Sequence, residues 1–231
     1  NLNDSNQLKE GLWIRVYPDG ALYYSGEFNH GVPEGEVLYL YESGELMSKL
    51  VYPHLDSSTN TVELISAIHY RENSSVQASG FYISTEDQEE PQREGSWGFY
   101  NDGSKQVKME TYTSGFLDGP YWVKGEKGQM VEKGEYAKDE LQGEKTTYFD
   151  NGIVKQKINY INGQLEGSFA VNYSNGYPKI EGDYFEGLEN GSWKTFTEKG
   201  ELELLIQYSQ GNRIKEIRVN GTFEETYADG R

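Results

Sequence analysis

Three histidines, a crowded run of carboxylates and one out-of-register tryptophan are the side chains whose type and placement could do chemistry. His30, His54 and His69 show no spacing that would gather ligands around a metal ion. For His69, which falls in a predicted strand, a tolerated surface or half-buried position is the plain expectation. The chain has no cysteine, which removes disulfides, thiolate nucleophiles and cysteine-held zinc or iron–sulfur centres together. No G-x-S-x-G elbow, phosphate-binding glycine loop or H-E-x-x-H pair is present. Nothing assembles an acid, a base and a nucleophile, so the chain is expected not to be an enzyme and to need neither cofactor nor metal.

Two features remain as binding candidates. Glu86, Asp87, Glu89, Glu90 and Glu94 crowd one connection, where they could face a calcium ion or a cationic partner. The run lacks the D-x-D-x-D-G order of a calcium loop, and a solvated loop that discourages edge pairing is the simpler reading. Trp122 stands beside Tyr121 on what should be the opposite face of a strand. An exposed indole there would stack on a sugar ring or anchor a protein partner.

Composition narrows the field further. The 231 residues carry 38 acidic and 21 basic side chains, a formal charge of -17. That charge repels phosphate backbones and anionic lipid, so nucleic acid and bare membrane are poor partners. No apolar stretch reaches the roughly 20 residues of a membrane span. The chain starts at Asn1 rather than Met, which leads to the expectation that a secretory or anchoring segment is removed and that export or the cell envelope is favoured over the cytoplasm. Sequons at Asn3, Asn73, Asn172, Asn190 and Asn220 are by-products of an Asn-rich turn composition.

The elements that must position these residues are written by an internal repeat. Gly95, Gly119, Gly143, Gly167 and Gly191 are 24 residues apart, as are Gly11 and Gly35. Steps of 30 residues join Gly35 to Ile65, Ile65 to Gly95 and Gly191 to Gly221, giving unit starts at 11, 35, 65, 95, 119, 143, 167, 191 and 221. Counting the start as zero, position 2 is usually large and apolar (Trp13, Val37, Trp97, Tyr121, Phe169, Trp193, Phe223), and position 17 is always aromatic in complete units. Position 9 is usually Gly after Asp or Asn, and position 20 is Gly in five units. Position 15 alternates between Gly (Gly26, Gly80, Gly134, Gly182) and a larger residue, as if a ring lay over bare backbone in every second unit.

Short aromatic and β-branched runs between such turns predict strand, tight Asp-Gly turn of type I′, strand, looser glycine turn. Helices should be almost absent. Residues 1–10 form a loosely ordered lead-in, and 11–231 an all-β, elongated, twisted, single-layer antiparallel meander whose last unit acts as a cap.

The pattern G-x-W-x-x-x-Y-x-D/N-G followed by G-x-Y-x-x-G-x-x-x-G resembles the MORN-repeat variant family of bacterial proteins. Gly11, Trp13, Tyr17, Asp19, Gly20, Gly26, Phe28, Gly31 and Gly35 carry it, and Gly167, Phe169, Tyr173, Asn175, Gly176, Gly182, Tyr184, Gly187 and Gly191 carry it again. The resemblance implies an open hairpin sheet and a scaffold or antitoxin-like role. The function expected is a non-catalytic protein-interaction module, in its sharper form an acidic surface covering a basic partner. The alternative is a cell-envelope carbohydrate-binding protein that uses exposed Trp and Tyr.

Overall fold

A computed structural model describes residues 1–53, 64–84 and 90–219. All regular structure among them is β, with no helix. Contacts divide the chain into two compact units, Asn1–Glu126 and Lys127–Arg231. The first holds β1 (Leu2–Asn3), β2 (Lys9–Val16), β3 (Leu22–Asn29), β4 (Val32–Leu40), β5 (Leu46–Tyr52), β6 (Leu64–Tyr70), β7 (Val76–Ile83), β8 (Gln92–Tyr100), β9 (Gln106–Thr113), β10 (Phe116–Leu117) and β11 (Gly119–Lys124). The second holds β12 (Met130–Ala137), β13 (Glu140–Tyr148), β14 (Val154–Ile161), β15 (Gln164–Asn172), β16 (Pro178–Phe185), β17 (Leu188–Phe196), β18 (Leu202–Ser209) and β19 (Asn212–Arg218). Within each unit, strands adjacent in sequence pair antiparallel, so each is an open meander of hairpins. His54, Glu86, Asp87, Glu89 and the sequence unit starting at Gly221 lie outside the described residues.

The two kinds of turn are the reverse of the sequence expectation. Asn29 pairs with Val32, which leaves His30-Gly31 as a two-residue loop with φ of 49° and 86°. Two positive values in succession are the type I′ condition. Ser114-Gly115, Asn162-Gly163, Glu186-Gly187 and Gln210-Gly211 repeat it at positions 19 and 20. The Asp-Gly site is longer. Gly20 N–H donates to the Tyr17 carbonyl and Tyr17 N–H to that of Ala21. Only Gly20 has positive φ, because Asp19 uses its carboxylate to accept Ala21 N–H, an Asx turn that holds it on the negative side. Asn73, Asn151 and Asn175 bond in the same way. Where Gly103 falls one place early, Ser104 takes the left-handed position instead.

Repeat residues also stitch each hairpin to the next. The Tyr17 hydroxyl donates to the Leu40 carbonyl, Tyr41 to that of Tyr70 and Tyr173 to that of Phe196. Arg71 stands in for the tyrosine and donates to Tyr100 and Asn101 carbonyls. The carboxylate or amide before each starting glycine caps the tight turn. Glu10 accepts His30 N–H, Glu94 accepts Ser114 N–H, Gln142 accepts Asn162 N–H and Glu166 accepts Glu186 N–H.

One sheet face carries the apolar positions. Its central row in the first unit runs Trp13, Gly26, Val37, Leu50, Ala67, Gly80, Trp97, Glu110 through successive cross-strand pairs, with one bulge step between Gly80 and Trp97. Trp97 is fully buried and its indole N–H donates to the Phe81 carbonyl. A Cβ on Gly80 would lie 2.5 Å from that ring, and one on Gly182 would lie 2.3 Å from Trp193. At Gly80 and Gly182 position 15 is therefore a seat for the ring of the following strand, whereas Gly26 faces Val37. Tyr82 and Tyr184, at position 17, meet these indoles edge-on at 4.9 and 5.1 Å between centroids. β5 pairs with β6 and β7 with β8 with their apolar positions on one face, so the units that start at Gly35 and Ile65 keep their facing despite their length.

The lead-in is ordered, contrary to expectation. Leu2 and Asn3 pair with Glu10 and Lys9. The Asn1 side-chain amide donates to the Ile14 carbonyl and accepts its N–H, imitating a strand residue on the open edge.

Gly80→Ala and Gly182→Ala should each cost about 1–3 kcal/mol, since the ring is held by its own hydrogen bond and cannot retreat. Gly103→Ala, whose nearest neighbour would be the Asn101 side chain at 3.5 Å, should stay within about 0.5 kcal/mol of the parent. Urea unfolding followed by tryptophan fluorescence checks the contrast.

Candidate functional site

The apolar face does not run smooth across the first unit. Beside the central row lies a second one, Arg15, Tyr24, Tyr39, Ser48, His69, Ala78, Phe99, Lys108, again linked by direct pairs. Where this row shortens to Ser48, a concavity of about 350 Å³ opens, lined chiefly by Tyr39, Ser48, Leu50, Tyr52, His69 and Tyr82. Glu90 and Pro91 reach its margin. A second concavity of about 360 Å³ shares Tyr39 and Tyr52 with it and adds Tyr24, Phe28, Lys9 and Arg15. The two adjoin at Tyr39 and Tyr52, so the tyrosine-walled groove on β2 to β7 has two parts.

The floor is a hydrogen-bonded chain. Ser48 Oγ lies 2.8 Å from His69 Nδ1, and Tyr82 Oη lies 3.1 Å from His69 Nε2. Both imidazole nitrogens are thus engaged by hydroxyls, one as donor and the other as acceptor. Ser48 also lies mid-strand between Tyr39 and His69, so its backbone N–H is used in the ladder and offers no oxyanion contact. What this floor can do is hold its own groups still and offer the Ser48 oxygen as one hydrogen-bonding group to a guest.

Burial keeps the groove uncharged where it is deepest. It lowers the His69 pKa, with Arg93 adding to the effect. It pushes Tyr52 up to about 12 and raises Tyr39. Tyr82 is raised by burial against the opposing pull of Arg93. The tyrosines are neutral hydroxyls at any physiological pH. Charge enters at the far end. Lys9 bonds the Tyr24 hydroxyl and sits 4.4 Å from the Phe28 ring centre, while exposed Arg15 has no side-chain partner among the described residues.

Of the residues singled out from sequence, His69 in the floor and Glu90 at the margin are gathered here, and the rest are not. Glu90 is exposed at the groove margin, whereas Glu86, Asp87 and Glu89 lie outside the described residues. Glu94 is spent on capping the Ser114 turn. Trp122 pairs with Met109 on the other face, is half-buried, and has the Lys124 ammonium 4.5 Å from its ring centre. Sequence reasoning missed Ser48, Tyr39 and Tyr52 because they occupy ordinary strand positions. The available signal was His69 at position 4, where other units carry Arg15, Tyr39, Phe99 and Val123.

Neither a protein-family model nor any curated protein matches this chain.

Folding lowers the His69 pKa below its ordinary 6.5, so the unfolded chain takes up that proton first as pH falls. The stability this group contributes is whole above the unfolded value and is lost as pH drops through 6.5 towards the folded one. His69→Gln should flatten the melting-temperature slope over that window relative to the parent. Parallel slopes would show that the acidic excess alone sets the pH response.

Proposed function

We propose that this is a non-catalytic binding module whose contact surface is the tyrosine-lined groove of the first unit, taking an extended segment of a protein partner. The observation that carries the reading is the tyrosine lining of that groove, with two cations in one of its parts. Two concavities share Tyr39 and Tyr52, one end is aromatic and apolar, and the other ends in Lys9 and Arg15. Tyrosine supplies large contact area with only two torsions to freeze, which is why it suits recognition surfaces. The Ser48 hydroxyl and the tyrosine hydroxyls offer hydrogen bonds to a peptide backbone, and Lys9 with Arg15 suits one carboxylate of the docked segment. The formal charge of -17 acts at longer range and favours a partner that is basic overall during approach. An antitoxin-like role is the sharper form of this reading and rests on the resemblance to MORN-type repeats. A carbohydrate-binding role through Trp122 is less favoured, because Lys124 already sits over that ring.

Capture from native lysate and envelope fractions, with salt-gradient elution, should recover one stoichiometric protein partner. Tyr39→Ala and Arg15→Glu should each weaken capture about tenfold or more, as central anchors do, while Trp122→Ala leaves it unchanged. Absence of any protein partner, or loss of binding only in Trp122→Ala with retention on polysaccharide, would overturn the reading.

A further inference from the structure

We infer that Asp4, Glu10 and His30 form a site for a divalent first-row transition ion that fastens the N-terminal segment to the first hairpin. Three elements meet there. Asp4 opens the turn between β1 and β2, Glu10 lies on β2, and His30 stands in the tight turn between β3 and β4. One ligand atom from each lies within 4.8 Å of the others.

The carboxylate of Asp4 is the informative group. One oxygen, Oδ1, accepts the N–H groups of Asn6 and Leu8 at 2.8 and 2.9 Å, which fixes the side chain. The other, Oδ2, is buried and accepts no hydrogen bond, on a side chain only 10% exposed. A buried carboxylate oxygen left unpaired is costly, so such an atom needs an explanation. Oδ2 faces His30 Nε2 at 3.8 Å. On the other side of that ring, Nδ1 lies 2.7 Å from Asn29 Oδ1, an acceptor that holds the proton on Nδ1 in the neutral ring. Nε2 then carries a lone pair, and two electron-rich atoms look at each other across the gap. A cation belongs between them. An ion about 2.1 Å from each of two ligands holds them roughly 3–4 Å apart, which fits the observed gap.

Imidazole with two carboxylates suits zinc, manganese or iron better than calcium, which prefers oxygen alone. The other tight turns make the contrast. Glu94 and Glu166 cap their turns as Glu10 does, but Ser114 and Glu186 stand where His30 stands. Only the first hairpin, next to the lead-in, adds an imidazole and a further carboxylate among the described residues. The spacing of residues 4, 10 and 30 hides the cluster from a motif search, because the lead-in must fold back on β2 to form it.

The test uses the full chain in metal-free buffer at neutral pH, titrated calorimetrically with Zn²⁺ alone and, by paramagnetic resonance, with Mn²⁺ alone. One saturable site is expected. Its affinity should fall about tenfold or more in Asp4→Asn, which keeps the Oδ1 bonds, and in His30→Asn, which tolerates the positive φ of 49°. Both variants should melt like the parent in chelator, and metal should slow amide exchange at residues 2–8 in the parent only. No saturable binding up to millimolar metal would overturn the site and leave a proton on His30 as the occupant of the gap. Equal affinity in the parent and both variants would also overturn it, by placing the ion on other carboxylates.

Discussion

A hairpin sheet without a second layer has to cover its own apolar face, and nearly everything repeated in this chain answers that constraint. A flat layer would leave every ring half in water. Trp97 is instead fully buried, because the glycine on the preceding strand lets the indole lie on bare backbone and Tyr82 closes over it. The contact joins consecutive hairpins rather than two layers. Each one is worth what a buried aromatic is worth, about 1.5–3 kcal/mol before the entropy of ordering it. The stitches of Tyr17, Tyr41 and Tyr173 to the next hairpin add hydrogen bonds at the turn end, where the rings do not reach.

Much of this was legible in the residues. The frame of starting glycines, the aromatic at position 17 and the position-15 glycines Gly80 and Gly182 each correspond to one physical contact in the structure. The turns were not legible, and for a definite reason. Asp-Gly satisfies both a type I′ turn and a type I turn followed by a left-handed glycine, and pair identity alone does not separate them. Loop length does, and that is fixed by pairings such as Asn29 with Val32, which involve unremarkable residues. The lead-in was misjudged similarly. Nothing in its composition announces a strand, and it is ordered by the open edge of β2 and by one asparagine that bonds like backbone.

The acidic excess also changes meaning once its members are placed. Read as a total, -17 is a long-range field. Read residue by residue, Glu10, Glu94 and Glu166 are turn caps, and Glu36 and Glu144 are paired with Lys49 and Lys157 across neighbouring strands. These charges are spent on architecture. The cations distribute unevenly too, with Lys9, Arg15 and Arg93 all on the aromatic face of the first unit. A field made by the surplus and a recognition end made by a few cations can therefore coexist in one molecule.

The concavity over Ser48 and His69 sits at a lapse in the repeat's packing rule. Where position 2 is a large ring and position 15 is Gly, the ring fills the space over the glycine, as Trp193 does over Gly182 in the second unit. A cavity needs a place where the filler is missing. In the stretch that begins at Gly35 and Ile65, position 2 is Val37 and then Ala67, and the second row drops to Ser48 and Ala78. Of these, Ser48 lines the concavity, whereas Ala67 and Ala78 are buried in the core with Trp97. The polar chain of Ser48, His69 and Tyr82 then satisfies the groups exposed by the gap. Sites in repeat folds are to be sought at such lapses, where local rules are broken and the surrounding contacts still hold.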